Sequence, residues 1–239
     1  MIKHINNYIL SIIIYATATP VFVLCFFLFL LLNIFNKSLT YKAIKIISKI
    51  MLYSFGIRTN IYGCFPKKKQ YIVMMNHSSF LDMFLYPLVV RGKWTGITAK
   101  ENFKYPLLST VLKKMNAIPI KRTNKIGAIK TIKIAEQKIK QGYHIGIMPE
   151  GARTLHGRLL PFKKGGFHMA LNTNTPILPI GVSGAYSAKP RNRWWIVPGS
   201  VTIQIGKPIN VDEFNKDNID SLIQLVKNNI SRLSSEKNQ

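Results

Sequence analysis

After Lys3 and His4 no charged residue occurs until Lys37, and between them lies a long apolar stretch from Tyr8 to Phe35 that includes the unbroken run Val21–Leu32. About 20 apolar residues in helical form cross a bilayer core, so this stretch is long enough to span a membrane or to embed in it. Thr19-Pro20 interrupts it, and the missing amide hydrogen predicts a kink or a broken, re-entrant helix there. A cleaved secretory leader is the competing reading, with Lys3 at the start and Ala16-Thr-Ala18 as a cleavage site. Against it, the apolar run continues well past that site and Pro20 follows closely.

From Leu39 to Phe55 the pattern becomes amphipathic. Ile44, Ile47 and Met51 recur at helical spacing while Lys42, Lys45 and Lys49 take another face. That predicts a helix lying on the membrane with its lysines toward headgroups, or alternatively a core-facing helix of a soluble domain. Beyond it, short apolar segments alternate with helical ones. The strand candidates are 71–75, 94–99, 117–120, 144–148, 177–182 and 201–205. Between the third and fourth, Lys125–Gln141 reads as a helix with Ile126, Ile129, Ile132 and Ile139 near one stripe and Gly142 as its stop. Strands separated by helices predict an α/β fold: a mixed, mainly parallel sheet flanked by helices, preceded by an N-terminal hydrophobic helical membrane module. Pro119 within its strand favours an edge position. The expected organisation is a membrane-anchoring module over residues 1–56, an α/β domain over 57–230 and a polar tail over 231–239.

Composition sharpens this. The chain has 239 residues with 34 Lys and Arg against 9 Asp and Glu, a formal charge of +25, yet 47% of its residues are hydrophobic. The mean hydropathy of +0.10 excludes intrinsic disorder. A chain both basic and oily suits an anionic, greasy partner, and a phospholipid membrane is both. No nucleic-acid-binding motif accompanies the charge. Two cysteines, Cys25 and Cys64, exclude a disulfide framework or a cysteine-based zinc site, and no metal-ligating cluster is visible. Lys37, Lys42, Lys45 and Lys49 flank the apolar stretch and place that flank on the cytoplasmic side.

The candidate chemistry sits just after strands, where open α/β sheets bind ligands. His77 follows the first strand candidate in Asn76-His77-Ser78-Ser79-Phe80-Leu81-Asp82. In one continuous helix the two side chains would point about 140° apart, so they meet only if His77 is in the turn and Asp82 starts the next helix. Ser78 and Ser79 suit that break as caps, and Ser79-x-x-Asp82 read alone is a capping box. A neutral imidazole steadied by a carboxylate is a general base able to deprotonate a substrate hydroxyl. Pro149-Glu150-Gly151-Ala152-Arg153 follows a second strand. Glu150 there can orient a base or hold a substrate hydroxyl, Gly151 allows a tight loop, and Arg153 offers a fork of donors for a phosphate. Lys100-Glu101 and Lys121-Arg122 follow two more strands.

Taken in order, Asn-His-x-x-x-x-Asp, Lys-Glu, a strand ending in Arg, Pro-Glu-Gly-x-Arg and Thr-Pro-Ile-x-Pro, spread from about residue 53 to 211, resemble the glycerolipid acyltransferases, in particular the 1-acylglycerol-3-phosphate (lysophosphatidic acid) acyltransferase family. The resemblance implies acyl transfer from a thioester, either acyl-CoA or acyl carrier protein, to the sn-2 hydroxyl of lysophosphatidic acid, giving phosphatidic acid, with no cofactor beyond that co-substrate. By motif position it implies His77 as general base and Asp82 as its partner. It sets Lys100, Arg122 and Arg153 at the acceptor phosphate, with Glu150 and Gly151 shaping the acceptor pocket. Phe162-Lys163-Lys164-Gly165 matches a further basic segment of the family. The implied location is a membrane, such as the inner membrane of a cell, with the catalytic domain on the cytoplasmic side.

Two departures from the family pattern bear on the acceptor. Asn116 stands where the family usually has glycine, and Ala152 where Thr or Ser is common. The same chemistry on another lysophospholipid or a lyso-aminolipid is therefore an open alternative, and a non-catalytic basic membrane-binding protein is a second.

Overall fold

The computed structural model describes residues 2–35, 37–67, 69–121 and 125–235. Two helices open the chain, α1 (Ile2–Phe35) and α2 (Lys37–Ser54), followed by strand β1 (Ile57–Tyr62). Then come β2 (Ile72–Met75), α3 (Asp82–Val89), β3 (Trp94–Ala99), a 3₁₀ turn (Lys100–Lys104), α4 (Pro106–Lys114), β4 (Ile118–Ile120), α5 (Lys125–Lys140) and β5 (His144–Ile147). α6 (Gly165–Thr173), β6 (Ile177–Ser183), α7 (Ala185–Ala188), β7 (Gly199–Ile205) and α8 (Ile219–Ser235) complete it.

The strands form one seven-stranded sheet in the order β1-β7-β6-β2-β5-β3-β4. All neighbours run parallel except β6 and β7. The mixed, mainly parallel sheet expected from the strand–helix alternation is thus present, and β4 with Pro119 lies at an edge. β1 escaped the sequence reading. Only Ile57 of its six residues is buried, so this edge strand carries no hydrophobic alternation to reveal it.

Successive side chains of a strand point to opposite faces, and β2 divides accordingly. Val73 and Met75 face a core shared with α1, α2, α3 and α7. Ile72 and Met74 face a second core with α5, α6 and α8. Met51, Leu52 and Phe55 lie in the first core, and Ile44 and Ile47 pack against it. The stripe of Ile44, Ile47 and Met51 therefore takes the core-facing alternative, while Ile46, Ile50 and Tyr53 of the same helix stay exposed. α5 forms where the periodicity placed it, burying Ala135 and Ile139. Ile129 is exposed, however, so the buried stripe is displaced from the one the isoleucines outlined.

α1 runs unbroken through Pro20, so the chain is not re-entrant there. Thr17 and Thr19 donate their hydroxyls to the carbonyls of Ile13, Ile14 and Tyr15, one turn back. Ile5–Ile34 is apolar and long enough to cross a membrane, with a mean hydropathy of 2.4, which suggests membrane association. One side of this helix is fastened to the segment before β7. Tyr8 stacks on Trp194, Tyr15 donates to the Trp194 carbonyl, and Ser11 exchanges two hydrogen bonds with the main chain of Ile196. Phe27, Leu24 and Ile34 on the same helix are exposed.

α8 lies tightly on β6 because Gly181 carries no side chain. A Cβ there would sit 2.3 Å from the main chain of Leu233. The helix buries Leu222, Ile223, Val226, Ile230 and Leu233, and its opposite, polar side is thereby brought to the carboxyl end of β6.

Candidate active site

The carboxyl ends of β2, β5 and β6 are adjacent because β2 pairs with both of the others. Asn76, the first residue beyond β2, extends that pairing with its side chain. Its amide donates to the Val182 carbonyl, and its carbonyl accepts the Val182 N–H at 2.8 Å. This fixes where His77 begins.

His77 lies in the turn and Asp82 is the first residue of α3, the arrangement that allows them to meet. His77 Nδ1 is 2.7 Å from Asp82 Oδ2. The same oxygen accepts the main-chain N–H groups of Ser78 and Ser79 at 2.9 and 3.0 Å. One carboxylate oxygen thus holds both the turn and the imidazole. An ionised carboxylate only accepts, so Nδ1 must carry the hydrogen and Nε2 is left able to take a proton. Asp82 is buried, whereas the imidazole is about one-fifth exposed, enough for a substrate to reach it.

Glu150 secures the histidine from the turn after β5. Its Oε1 accepts the His77 N–H at 2.6 Å and its Oε2 accepts the Leu160 N–H at 2.8 Å. Burial raises its pKa, and the two main-chain donors pull it back. Both Glu150 oxygens are thus engaged by main-chain donors, one of them the N–H of His77. Thr154 N–H donates to the His77 carbonyl, so the histidine backbone is held at both ends. Gly151 has φ +72°, a conformation that only glycine adopts without strain, and its N–H closes the turn on Met148.

Arg153 is half-buried, and among the described residues it donates no hydrogen bond and forms no ion pair. Burial lowers its pKa, the neighbouring Arg191 lowers it further, and Asp82 opposes both. The Arg153 guanidinium thus feels the charges of both Arg191 and Asp82. Lys189 is drawn to the same place, since Ser79 Oγ donates to the Lys189 carbonyl at 2.7 Å. Its ammonium lies among Arg153 and Arg193.

Lys100 is exposed at the end of β3, with β5 between its strand and β2. Arg122 lies outside the described residues. Lys164, in the basic segment, pairs with Asp220 of α8 at 2.8 Å. Asn116 has φ 54°, the left-handed conformation in which glycine is ordinarily found, so asparagine meets a backbone requirement at that position.

A cleft of about 480 Å³ opens beside the histidine. Asn76, His77, Glu150 and Thr154 form one side, and Tyr186 of α7 with Lys227 and Asn228 of α8 form another. The sequence reading named no helix over 219–235 and took 231–239 as a polar tail, whereas α8 continues to Ser235 and buries Leu233.

Residues 57–183, more than half of the chain, match the family described as Acyltransferase. A 1-acyl-sn-glycerol-3-phosphate acyltransferase of Limnanthes douglasii is 33% identical over 182 residues, covering 76% of this chain and 65% of that protein. The alpha form from Mus musculus is 28% identical over 195 residues, covering 78% of this chain and 68% of the mouse protein. The chain thus spans a little under two thirds of the Limnanthes protein's length. The crystal structure of the 1-acyl-sn-glycerophosphate (LPA) acyltransferase PlsC from Thermotoga maritima shares the fold, with a TM-score of 0.84 at 24% identity over 99% of this chain and 100% of that one.

Proposed function

This chain belongs to the acyltransferase family, and from that membership we propose that it moves a fatty acyl group from a thioester to the free hydroxyl of lysophosphatidic acid, forming phosphatidic acid. The observation that carries the reading is the 2.7 Å contact between His77 Nδ1 and Asp82 Oδ2.

His77 Nε2 takes the proton of the acceptor hydroxyl as that oxygen attacks the thioester carbonyl. The carbon–sulfur bond then breaks, and the thiolate leaves with the proton returned from Nε2. The products are an ester and a free thiol, so atoms balance with no redox step and no resident cofactor. Asp82 keeps the hydrogen on Nδ1 and stabilises the imidazolium formed in passing. Arg153 binds the acceptor phosphate through charge-assisted hydrogen bonds worth about 1.5–3 kcal/mol each. Holding the hydroxyl next to the base in this way removes several kcal/mol from the barrier.

α1 is the membrane anchor in this reading, with the catalytic domain on the cytoplasmic side. Its contacts with Trp194 and Ile196 put the loop that bears Arg191 next to the lipid. An acceptor arriving from the bilayer would meet that loop first.

The test is an acyl-transfer assay on lysolipids that differ only in headgroup, with His77→Ala as control. Release of free thiol with lysophosphatidic acid as the preferred acceptor, abolished in the variant, is the expected result. Preference for another lysolipid would keep the chemistry and change the acceptor. No thiol release with any lysolipid would leave a membrane-binding protein without catalysis.

A further inference from the structure

The cleft beside His77 has a wall that the catalytic motifs do not explain. α8 begins well beyond residues 57–183, yet it contributes Lys227, Asn228 and Ser231 to the cleft, facing Arg158 from the loop after β5. The helix is held in that position by the close approach at Gly181. Among the described residues lining the cleft, Glu150 is the one carboxylate, and both of its oxygens are bonded to main-chain N–H groups. The space therefore presents two cations, several neutral hydrogen-bonding groups and one catalytic imidazole. Its volume of about 480 Å³ is that of a small-molecule site.

Resting on the acyltransferase reading, we propose that this cleft binds the phosphopantetheine arm of the thioester donor. Lys227 and Arg158 take its phosphate, Asn228 and Ser231 bond its amides, and the thioester end reaches His77. Two observations favour the donor over the lipid acceptor. Arg153 does not line this cleft, and the Trp194–Ile196 segment to which Ser11 and Tyr15 of α1 bond does not line it either. The cleft instead runs to α8, which packs in the core on the sheet face opposite α1. A lipid diffusing in the bilayer approaches from the α1 side, and a water-soluble thioester from the α8 side. An elongated, amide-bearing, phosphorylated chain matches polar walls with cations better than an acyl chain does.

Coenzyme A and acyl carrier protein present the same arm, so both are tested. In full-length protein reconstituted in nanodiscs, KM is measured for acyl-CoA, for acyl carrier protein thioester and for lysophosphatidic acid, in wild type, Lys227→Glu and Ser231→Trp. The expected result is a donor KM raised about tenfold or more, the loss of a charge-assisted contact, with the acceptor KM unchanged. A rise for both donors supports the shared arm, and a rise for one supports the cleft and identifies its source. A rise in acceptor KM alone, or no change in either variant, overturns the proposal. Calorimetric titration with coenzyme A, or with holo acyl carrier protein, separates this from the reaction itself. Binding kept in His77→Ala and lost in Lys227→Glu supports the cleft even if no acyl transfer occurs. Binding of both ligands indifferent to Lys227→Glu sinks it even if transfer proceeds.

Discussion

Glu150 Oε1 lies 2.6 Å from the main-chain nitrogen of His77, across 73 residues of sequence, and its second oxygen holds Leu160. The position of the base is thus set by a carboxylate in the turn after β5. In Glu150→Gln the side-chain amide presents donors where an acceptor is required, so one buried N–H loses its partner at a cost of about 1–3 kcal/mol. The expected outcome is a lower unfolding temperature together with a kcat reduced about 10–100-fold, since small displacements of a catalytic group are costly. Both KM values should move little. Steady-state kinetics alongside thermal unfolding checks this, and an unchanged kcat would remove the positioning role.

Asp82→Asn addresses the base directly. An amide nitrogen turned to His77 Nδ1 favours the tautomer with the hydrogen on Nε2, which cannot accept a proton. The kcat should fall about 10²–10⁴-fold, the usual worth of a general base. Stability should fall as well, because Asp82 Oδ2 also accepts the Ser78 and Ser79 N–H groups and an amide nitrogen there leaves both without an acceptor. A pH–rate profile that keeps its imidazole limb in the variant would contradict this assignment.

Arg153→Ala should raise the KM for lysophosphatidic acid by about 10–100-fold, equivalent to about 1.5–3 kcal/mol of lost phosphate binding. An acceptor lacking the phosphate should show no such penalty. The difference between the two acceptors is the measurement that decides it.

His144 gives the fold a pH dependence. Its Nδ1 accepts the Tyr71 N–H at 3.0 Å, so the ring is held neutral, and burial lowers its pKa to about 4. Between pH 6.5 and about 4 the unfolded chain binds more protons at this residue than the folded one, so its contribution to stability is full above that window and is lost as pH falls through it. At 1.36 kcal/mol per unit the effect is at most about 3 kcal/mol. Urea unfolding from pH 7 to 4.5 should show a shallower loss in His144→Asn than in wild type. Parallel slopes would exclude the residue as a contributor.

Gly181→Ala places a methyl group 2.3 Å from the main chain of Leu233, so α8 must shift. Overpacking of this kind costs about 1–3 kcal/mol, or roughly 2–4 °C in unfolding temperature per kcal/mol for a chain of this size. Because α8 walls the cleft, the donor KM should rise with it. A variant as stable as wild type would show that the helix has room to adjust.

Much of the fold was legible because periodicity is local. The alternation of apolar strands and helices gave the mixed sheet, the α5 pattern gave its helix, and Pro119 gave an edge. The apolar N-terminal stretch announced a long helix. β1 was silent because an exposed edge strand has no buried face to write into its sequence. α2 showed an apolar stripe but not its destination, since lipid and a protein core demand the same residues.

The same division holds at the site. His77 and Asp82 could be paired on paper because a five-residue spacing across a helix start admits one arrangement, and the reading of both follows from residue type and position in a turn. That Glu150 holds the backbone of His77 and that α8 supplies one wall of a cleft were decided by the order of strands and the packing of helices. Sequence specifies interactions that reach a few residues along the chain. Which distant side chains meet depends on how the sheet is ordered and how closely a helix approaches it, here through a glycine whose role appears only when Leu233 is seen against it.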